Sequence, residues 1–200
     1  MVHYKLTYFD ARGRAELSRL IFAVAGVEYG DVRISFEEWG KLKPNTPFGS
    51  LPYLEVDGKT IAQSQAIVRF LANVFDLAGA DHFEKAKVDE AAECALEILT
   101  DAVKVTFAPE AEKEAKTKEF VSKTWPSHVV KIEKILASNP TGFLVGSKLT
   151  YADLALFSIL DTVCSFEGAT VSGPIAQHRK KVGAVPAIAK WISARPKNTF

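Results

Sequence analysis

Cysteine is scarce in this chain. Cys94 and Cys164 stand far apart and in no CxxC pair, which argues against a disulfide framework or a thiolate metal site. Histidine is sparse too: His3, His82, His128 and His178 show no ligand spacing such as HxxxH, so no metal is expected. Long apolar runs are missing. The longest strong one, Leu154 to Leu160, is bounded by Asp153 and Asp161 and is far too short to cross a bilayer. The opening stretch from Met1 to Asp10 has no long apolar segment, so no secretory leader is expected. Neither sign of charge dominates: the formal net charge is +1, with both signs interspersed. That argues against a dedicated nucleic-acid or anionic-membrane surface. There is no GxSxG elbow, P-loop, GxGxxG motif, repeat or low-complexity tract. The composition suits a reducing compartment, and neither membrane nor nucleic-acid partners are expected.

What is present is ordinary globular material. The 200 residues are 48% hydrophobic and 24% charged, enough for one large domain or two small ones. Tyr4 to Phe9 alternates and is aromatic-rich, as a strand is. Leu17, Leu20, Ile21 and Val24 fall at helical spacing, and Gly26 stops that helix. Tyr29 to Ile34 predicts a second strand, and Phe36 to Lys43 one or two helical turns. Tyr53 to Val56, the Asp57-Gly58 turn and a short strand after it predict a hairpin. Ile67, Phe70, Leu71 and Val74 then repeat the helical period, with Ser64 as the expected N-cap. After a linker at Asp76 to Asp81 the strand signals nearly vanish. Helices are predicted from about 83 to 107, from near Glu112 with a kink or break at Pro126, after a capping box at Thr150 to Asp153, and from Val182 to Ser193. The division expected is an α/β domain over 1–78 and an all-helical domain over 82–200.

Candidate chemistry gathers in the first domain. Tyr8 ends the first strand beside the turn that opens the first helix. Its phenol suits an anion at that helix start, or simply packs the rim of the strand. Arg14, at the same start, could pair with an anion or with a buried carboxylate, though taken alone it reads first as a surface arginine. Trp39 and Lys43 share a helical face and would suit a carboxylate, or a lysine covering a half-buried indole. Gln63 and Ser64 open the third helix, where free backbone N–H groups also favour an anion, with Ser64 as an ordinary cap in either case. Both cysteines read as helix residues, packed or idle rather than nucleophilic.

Together these segments resemble a known family. Tyr4-Lys5-Leu6-Thr7-Tyr8-Phe9 with Arg12-Gly13-Arg14-Ala15-Glu16 is similar to the opening of sigma-class glutathione transferases. Pro47-Phe48-Gly49, Pro52 to Gly58, and Gln63-Ser64 with Ala66-Ile67 resemble their central segment. Gly146 to Asp153 resembles their helical-domain capping motif, and Val185 to Ile188 with Arg195-Pro196 their tail.

The resemblance implies a thioredoxin-like N-terminal domain, an all-α C-terminal domain and a cytosolic homodimer. It implies glutathione as co-substrate, with no metal required. By matched position Tyr8 stabilises the glutathione thiolate and Arg14 supports the electrostatics there. Trp39 and Lys43 bind the glycyl carboxylate, Leu51 pairs with the cysteinyl part, Pro52 is a cis-proline, and Gln63 and Ser64 hold the γ-glutamyl end. Glu97 reaches toward the neighbouring subunit's tripeptide. Phe9, Arg14, Val103, Lys104 and Phe107 line a pocket expected between the domains. The activity implied is conjugation of glutathione to small hydrophobic electrophiles. The alternatives are a glutathione-dependent isomerase or peroxidase of the prostaglandin D synthase kind, and a non-catalytic binding or structural protein on the same fold. Three departures stand out. Ser50 replaces a common lysine, and Glu93, Leu96 and Glu97 replace an acidic cluster of aspartates. Lys104 stands where prostaglandin-isomerising members carry tryptophan.

Overall fold

The computed structural model describes residues 2–198. Packing separates them into two units. The first runs to Leu77 and takes back the residues from Pro186 onward; the second is Ala78–Val185.

The first unit is built on a four-stranded sheet in the order β2-β1-β3-β4. Its strands are β1 (Tyr4–Phe9), β2 (Gly30–Ile34), β3 (Tyr53–Val56) and β4 (Lys59–Ala62). β1 and β2 run parallel, from Lys5↔Gly30 to Phe9↔Ile34, because helix α1 (Glu16–Ala25) carries the chain back between them. β3 lies antiparallel to β1, and β4 antiparallel to β3. The hairpin forms at the expected dipeptide: Asp57 has φ 47° and Gly58 φ 80°, the two positive values a tight hairpin of this kind requires. α1 ends as predicted on Gly26, in the left-handed region at φ 65°. Its apolar stripe, with Leu20, Ile21 and Phe22 fully buried, joins Leu6, Leu54 and the α3 (Ser64–Val74) residues Ile67, Val68 and Leu71 in one core. α2 (Phe36–Leu42) begins with a capping box between Ser35 and Glu38.

The second unit is all helix: α4 (His82–Thr106), α5 (Glu110–Glu119), α6 (Trp125–Ser138), α7 (Tyr151–Val163) and α8 (Gly173–Gly183). α7 is its axis. Nearly every residue of this helix is buried, and it packs along α4. The Thr150–Asp153 capping box is complete. Asp153, fully buried, accepts from Thr150 N (2.8 Å), Thr150 Oγ1 (2.9 Å) and Leu144 N (2.7 Å), and His178 Nε2 lies 2.9 Å from it.

Two expectations are corrected and a third takes a definite form. Of the kink or break expected at Pro126, the structure has an interruption of the α-helix: Pro126 sits in the first turn of α6, and the join to α5 is a π-helical turn over Phe120–Thr124. A proline has no N–H for the turn before it, and the wider turn accommodates that loss. The tail is two helices rather than one: α8 starts at Gly173-Pro174, ahead of the stretch read as helical, and α9 spans Pro186–Ala194. Finally, α9 groups with the first unit instead of the helical one, because Trp191 and Arg195 bond the buried carboxylate of Glu16 on α1.

Candidate functional site

Sheet register brings the scattered residues of the first unit to one edge. Thr7 pairs with Tyr53, and Tyr53 with Ala62. Tyr8, Pro52 and Gln63 are the residues next in sequence to these paired positions, so they stand at the same end of β1, β3 and β4. Three neighbouring strand ends then span roughly 10 Å from Tyr8 to Gln63, twice the usual strand spacing. The Leu51–Pro52 peptide is cis, as the resemblance implied, and leads directly into β3.

Tyr8 is 8% exposed, and its ring meets Phe9 edge-on at 5.5 Å. Its hydroxyl oxygen accepts the backbone N–H of Arg14 at 3.2 Å. A phenol oxygen that already accepts one hydrogen bond keeps its own proton available to donate. The turn that permits this is Gly13, at φ 37°; a β-carbon there would lie 2.7 Å from the Tyr8 hydroxyl. The sequence indicated a turn between Tyr8 and the first helix but did not mark Gly13 as part of the site. Only the close approach of the hydroxyl reveals it.

Trp39 and Lys43 lie on one side of α2 as expected: the Lys43 N–H closes the helix onto the Trp39 carbonyl. Trp39 is half-buried, edge-on to Phe9 at 5.8 Å, while Lys43 is exposed. Phe36, 76% exposed, stacks on the Phe9 ring at 4.8 Å, a partner the sequence did not suggest.

At the start of α3 the order is shifted by one. Gln63, not Ser64, is the N-cap, and Ser64 is the first helical residue, largely buried. Gln63 holds φ 72° and ψ 116°, an unfavourable backbone for a residue with a β-carbon, and no side chain caps the helix. The first N–H groups of α3 therefore have no side-chain acceptor at the cap, an arrangement that suits an anionic ligand.

The remaining predicted residues belong to the second unit. Glu97 is exposed on α4 and takes Lys131 Nζ at 2.7 Å. Val103, Lys104 and Phe107 occupy the last turn of α4 and its C-cap; Lys104 pairs with Asp101 at 2.8 Å and Phe107 is 65% exposed. Burial, with Glu97 adding to it, pushes the Cys94 thiol up, which disfavours the thiolate. Among the described residues no group of three or more His, Cys, Asp or Glu could hold a metal ion, and no helix is long and apolar enough to cross a membrane.

A thioredoxin-like unit with this edge, joined in sequence to an all-helical unit, is the glutathione transferase architecture. Residues 4–73 match the family described as "Glutathione S-transferase, N-terminal domain", and residues 97–195 match its C-terminal domain. The chain belongs to the glutathione S-transferase family. It is 42% identical to a probable glutathione S-transferase 6 of Caenorhabditis elegans, and 40% identical to glutathione S-transferase 1 of Ascaris suum. All of each chain is covered in both comparisons. Among solved structures it resembles a monomeric glutathione S-transferase of the hookworm Necator americanus at 40% identity, TM-score 0.89, over 99% of this chain and 100% of that one. It resembles a Nu-class enzyme of Haemonchus contortus at 39% identity, TM-score 0.84, over all of both chains. A prostaglandin synthase D of Nilaparvata lugens matches at 31% identity, TM-score 0.85, over 98% of this chain and 100% of that one.

Proposed function

We propose that this protein binds glutathione along the Tyr8–Pro52–Gln63 edge, activates its thiol and transfers the sulfur to small hydrophobic electrophiles. The observation that carries the reading is the Arg14 N–H bonded to the Tyr8 hydroxyl, which leaves the phenolic proton to donate to sulfur. A free thiol is mostly protonated at neutral pH, and only the thiolate attacks. A donated hydrogen bond stabilises the charged form. Lowering a thiol pKa by about two takes roughly 2.7 kcal/mol of differential stabilisation. One charge-assisted hydrogen bond together with nearby N–H groups is of that order. The thiol proton leaves to solvent. The S–C bond then forms as a halide departs from an aryl halide, or as an enal carbon takes up a proton.

In this reading Trp39 and Lys43 hold the glycyl carboxylate, the Leu51 backbone the cysteinyl amide, and Gln63, Ser64 and the α3 N-terminus the γ-glutamyl end. Arg14 supports the charge at sulfur. Phe9, Arg14, Val103, Lys104 and Phe107 are the proposed electrophile contacts. Glu97, already paired with Lys131, is the proposed reach to a neighbour's tripeptide. A sigma-like class, a detoxifying role and a cytoplasmic setting complete the proposal. The motif segments support that class, with the Nu-class likeness as the competing placement. A homodimer is proposed with Phe48, 69% exposed, as an anchor. The monomeric hookworm relative makes this a measurement for sedimentation.

A second reading, glutathione-dependent isomerisation, draws support from the likeness to the prostaglandin synthase. The deciding experiment is retention on immobilised glutathione, followed by turnover across an aryl halide, an enal, a lipid hydroperoxide and a prostaglandin endoperoxide. Conjugation of the first two is expected. Turnover of the endoperoxide alone supports the second reading, and failure to bind glutathione refutes both.

A further inference from the structure

The end of the described chain bonds to the loop that ties Tyr8 to Arg14. Asn198 Nδ2 donates to the Asp10 carbonyl at 3.1 Å and to Asp10 Oδ1 at 3.2 Å. Trp191 Nε1 and Arg195 Nη1 donate to Glu16 Oε1 at 2.9 and 2.7 Å. Glu16 is 2% exposed, and Arg19, fully buried, lies 3.6 Å from its carboxylate. Arg19 in turn donates to the Ala11 carbonyl at 2.6 Å and to Asp31 at 3.1 Å. Asp31 also holds Arg33, whose other arm reaches Asp10 at 3.0 Å. One continuous polar network therefore runs from the tail to both sides of the loop.

The loop has little freedom left. The Asp10 N–H is taken by Ile34 O (3.2 Å) and the Ala11 N–H by Phe9 O (2.7 Å). The Arg12 carbonyl accepts Ala15 N (3.2 Å) and Glu16 N (2.9 Å). With Asn198 on the Asp10 carbonyl and Arg19 on that of Ala11, the carbonyls of Asp10, Ala11 and Arg12 all have partners. These residues lead into Gly13 and Arg14, and so set where the Arg14 N–H meets the Tyr8 hydroxyl.

We infer that the segment Trp191 to Asn198 is a positioning element for Tyr8, holding the Asp10–Arg12 loop so that the Arg14 N–H stays on the phenol oxygen. The inference rests on the thiolate-activating reading above. Asn198 is the direct link to the loop. Trp191 and Arg195 act one step back, by fixing Glu16 against Arg19. Without them the N–H leaves the hydroxyl, the phenol rotates, and sulfur loses an oriented donor although the tripeptide contacts remain.

The test uses the full chain with Asn198→Ala, Asn198→Gln and Trp191→Phe, the last removing only the indole donor from an otherwise similar ring. Three quantities are read: kcat with an aryl halide, KM for glutathione, and the pH titration of bound glutathione by thiolate absorbance. Asn198→Ala is expected to lower kcat roughly tenfold, as a misplaced group remote from the reacting atoms does. The bound thiol should titrate nearer to free glutathione, with KM for glutathione unchanged. Trp191→Phe should move the same quantities in the same direction, and Asn198→Gln, which keeps the amide donor, should recover part of the loss. A lower melting temperature with unchanged kcat and thiol titration in both Asn198→Ala and Trp191→Phe overturns the inference. A wild-type chain that binds glutathione without forming thiolate overturns the underlying reading instead.

Discussion

Arg14 and Tyr8 are joined through a backbone N–H and a side-chain hydroxyl 3.2 Å apart. The bond is directional: the tyrosine oxygen accepts, so its proton is aimed elsewhere. Tyr8→Phe should therefore raise the titration midpoint of bound glutathione and lower kcat roughly a hundredfold, the scale of losing one oriented donor. Affinity for glutathione should change little, since the tripeptide is held by other residues. A bound thiol that titrates as in wild type would remove Tyr8 from the catalytic role.

Gly13 has no tolerance for a side chain. Gly13→Ala places a methyl 2.7 Å from the Tyr8 hydroxyl, on a backbone at φ 37°. The backbone penalty is of order 1–3 kcal/mol, and the displaced hydroxyl adds a loss of kcat of at least about tenfold. Calorimetry and steady-state kinetics on one preparation should show both effects. A loss of stability with full turnover would show that the phenol does not need this approach.

Gln63 trades stability for position. At φ 72° its β-carbon is unfavourable, and glycine is not so constrained. Gln63→Gly should raise stability by up to about 1 kcal/mol in denaturant titration, while KM for glutathione rises. A variant with lower stability, or with unchanged KM, would contradict this account of the α3 N-terminus.

Asp153 anchors the second unit. It is fully buried, accepts three hydrogen bonds from Thr150 and Leu144, and faces His178 at 2.9 Å. Asp153→Ala strands these donors and should cost about 3–5 kcal/mol, read as a large drop in denaturation midpoint. A cost below about 1 kcal/mol would mean that the network relaxes around the gap.

Acid sensitivity should trace partly to Asp101. Burial pushes its carboxyl up, but hydrogen bonds from Lys104 and His128 outweigh that and hold it below its ordinary value of 3.8. A depressed carboxyl stabilises the fold above the unfolded value, and that contribution is lost as pH falls through the folded one. Between about pH 5 and 3, wild type should lose stability more steeply than Asp101→Asn. Parallel pH curves would remove Asp101 from the acid transition.

What was legible in the sequence was local. Asp57-Gly58, Gly26 and the Thr150–Asp153 box each specify a turn or cap from a few adjacent residues, and each forms as read. The β-α-β-β-α order followed from periodicities of two and 3.6. α8 escaped because its buried stripe is thin, only Ile175, His178 and Val182, behind a Gly-Pro start. Ser64 looked the better cap because hydroxyls usually are. The strained cap at Gln63 contradicts propensity, as ligand-facing positions often do. The Glu16 network was invisible for a different reason. Its partners at Asp31, Trp191 and Arg195 have no sequence proximity to advertise them, and a buried carboxylate looks like any surface glutamate until its neighbours are known.

The return of α9 to the first unit bears on how the protein is made. The strands that carry Tyr8 leave the ribosome early, yet Glu16 has neither the Trp191 indole nor the Arg195 guanidinium until residues 191–195 follow. The helical unit, Ala78–Val185, is contiguous and has all its residues before then. At about 5–20 residues per second, the residues between Glu16 and Trp191 take roughly 9–35 s to follow. Throughout that wait, the nascent first unit keeps a carboxylate beside Arg19 with its closing partners still unsynthesised. Translation thus supplies the scaffold of helices in full before it supplies the final bonds around the reacting edge.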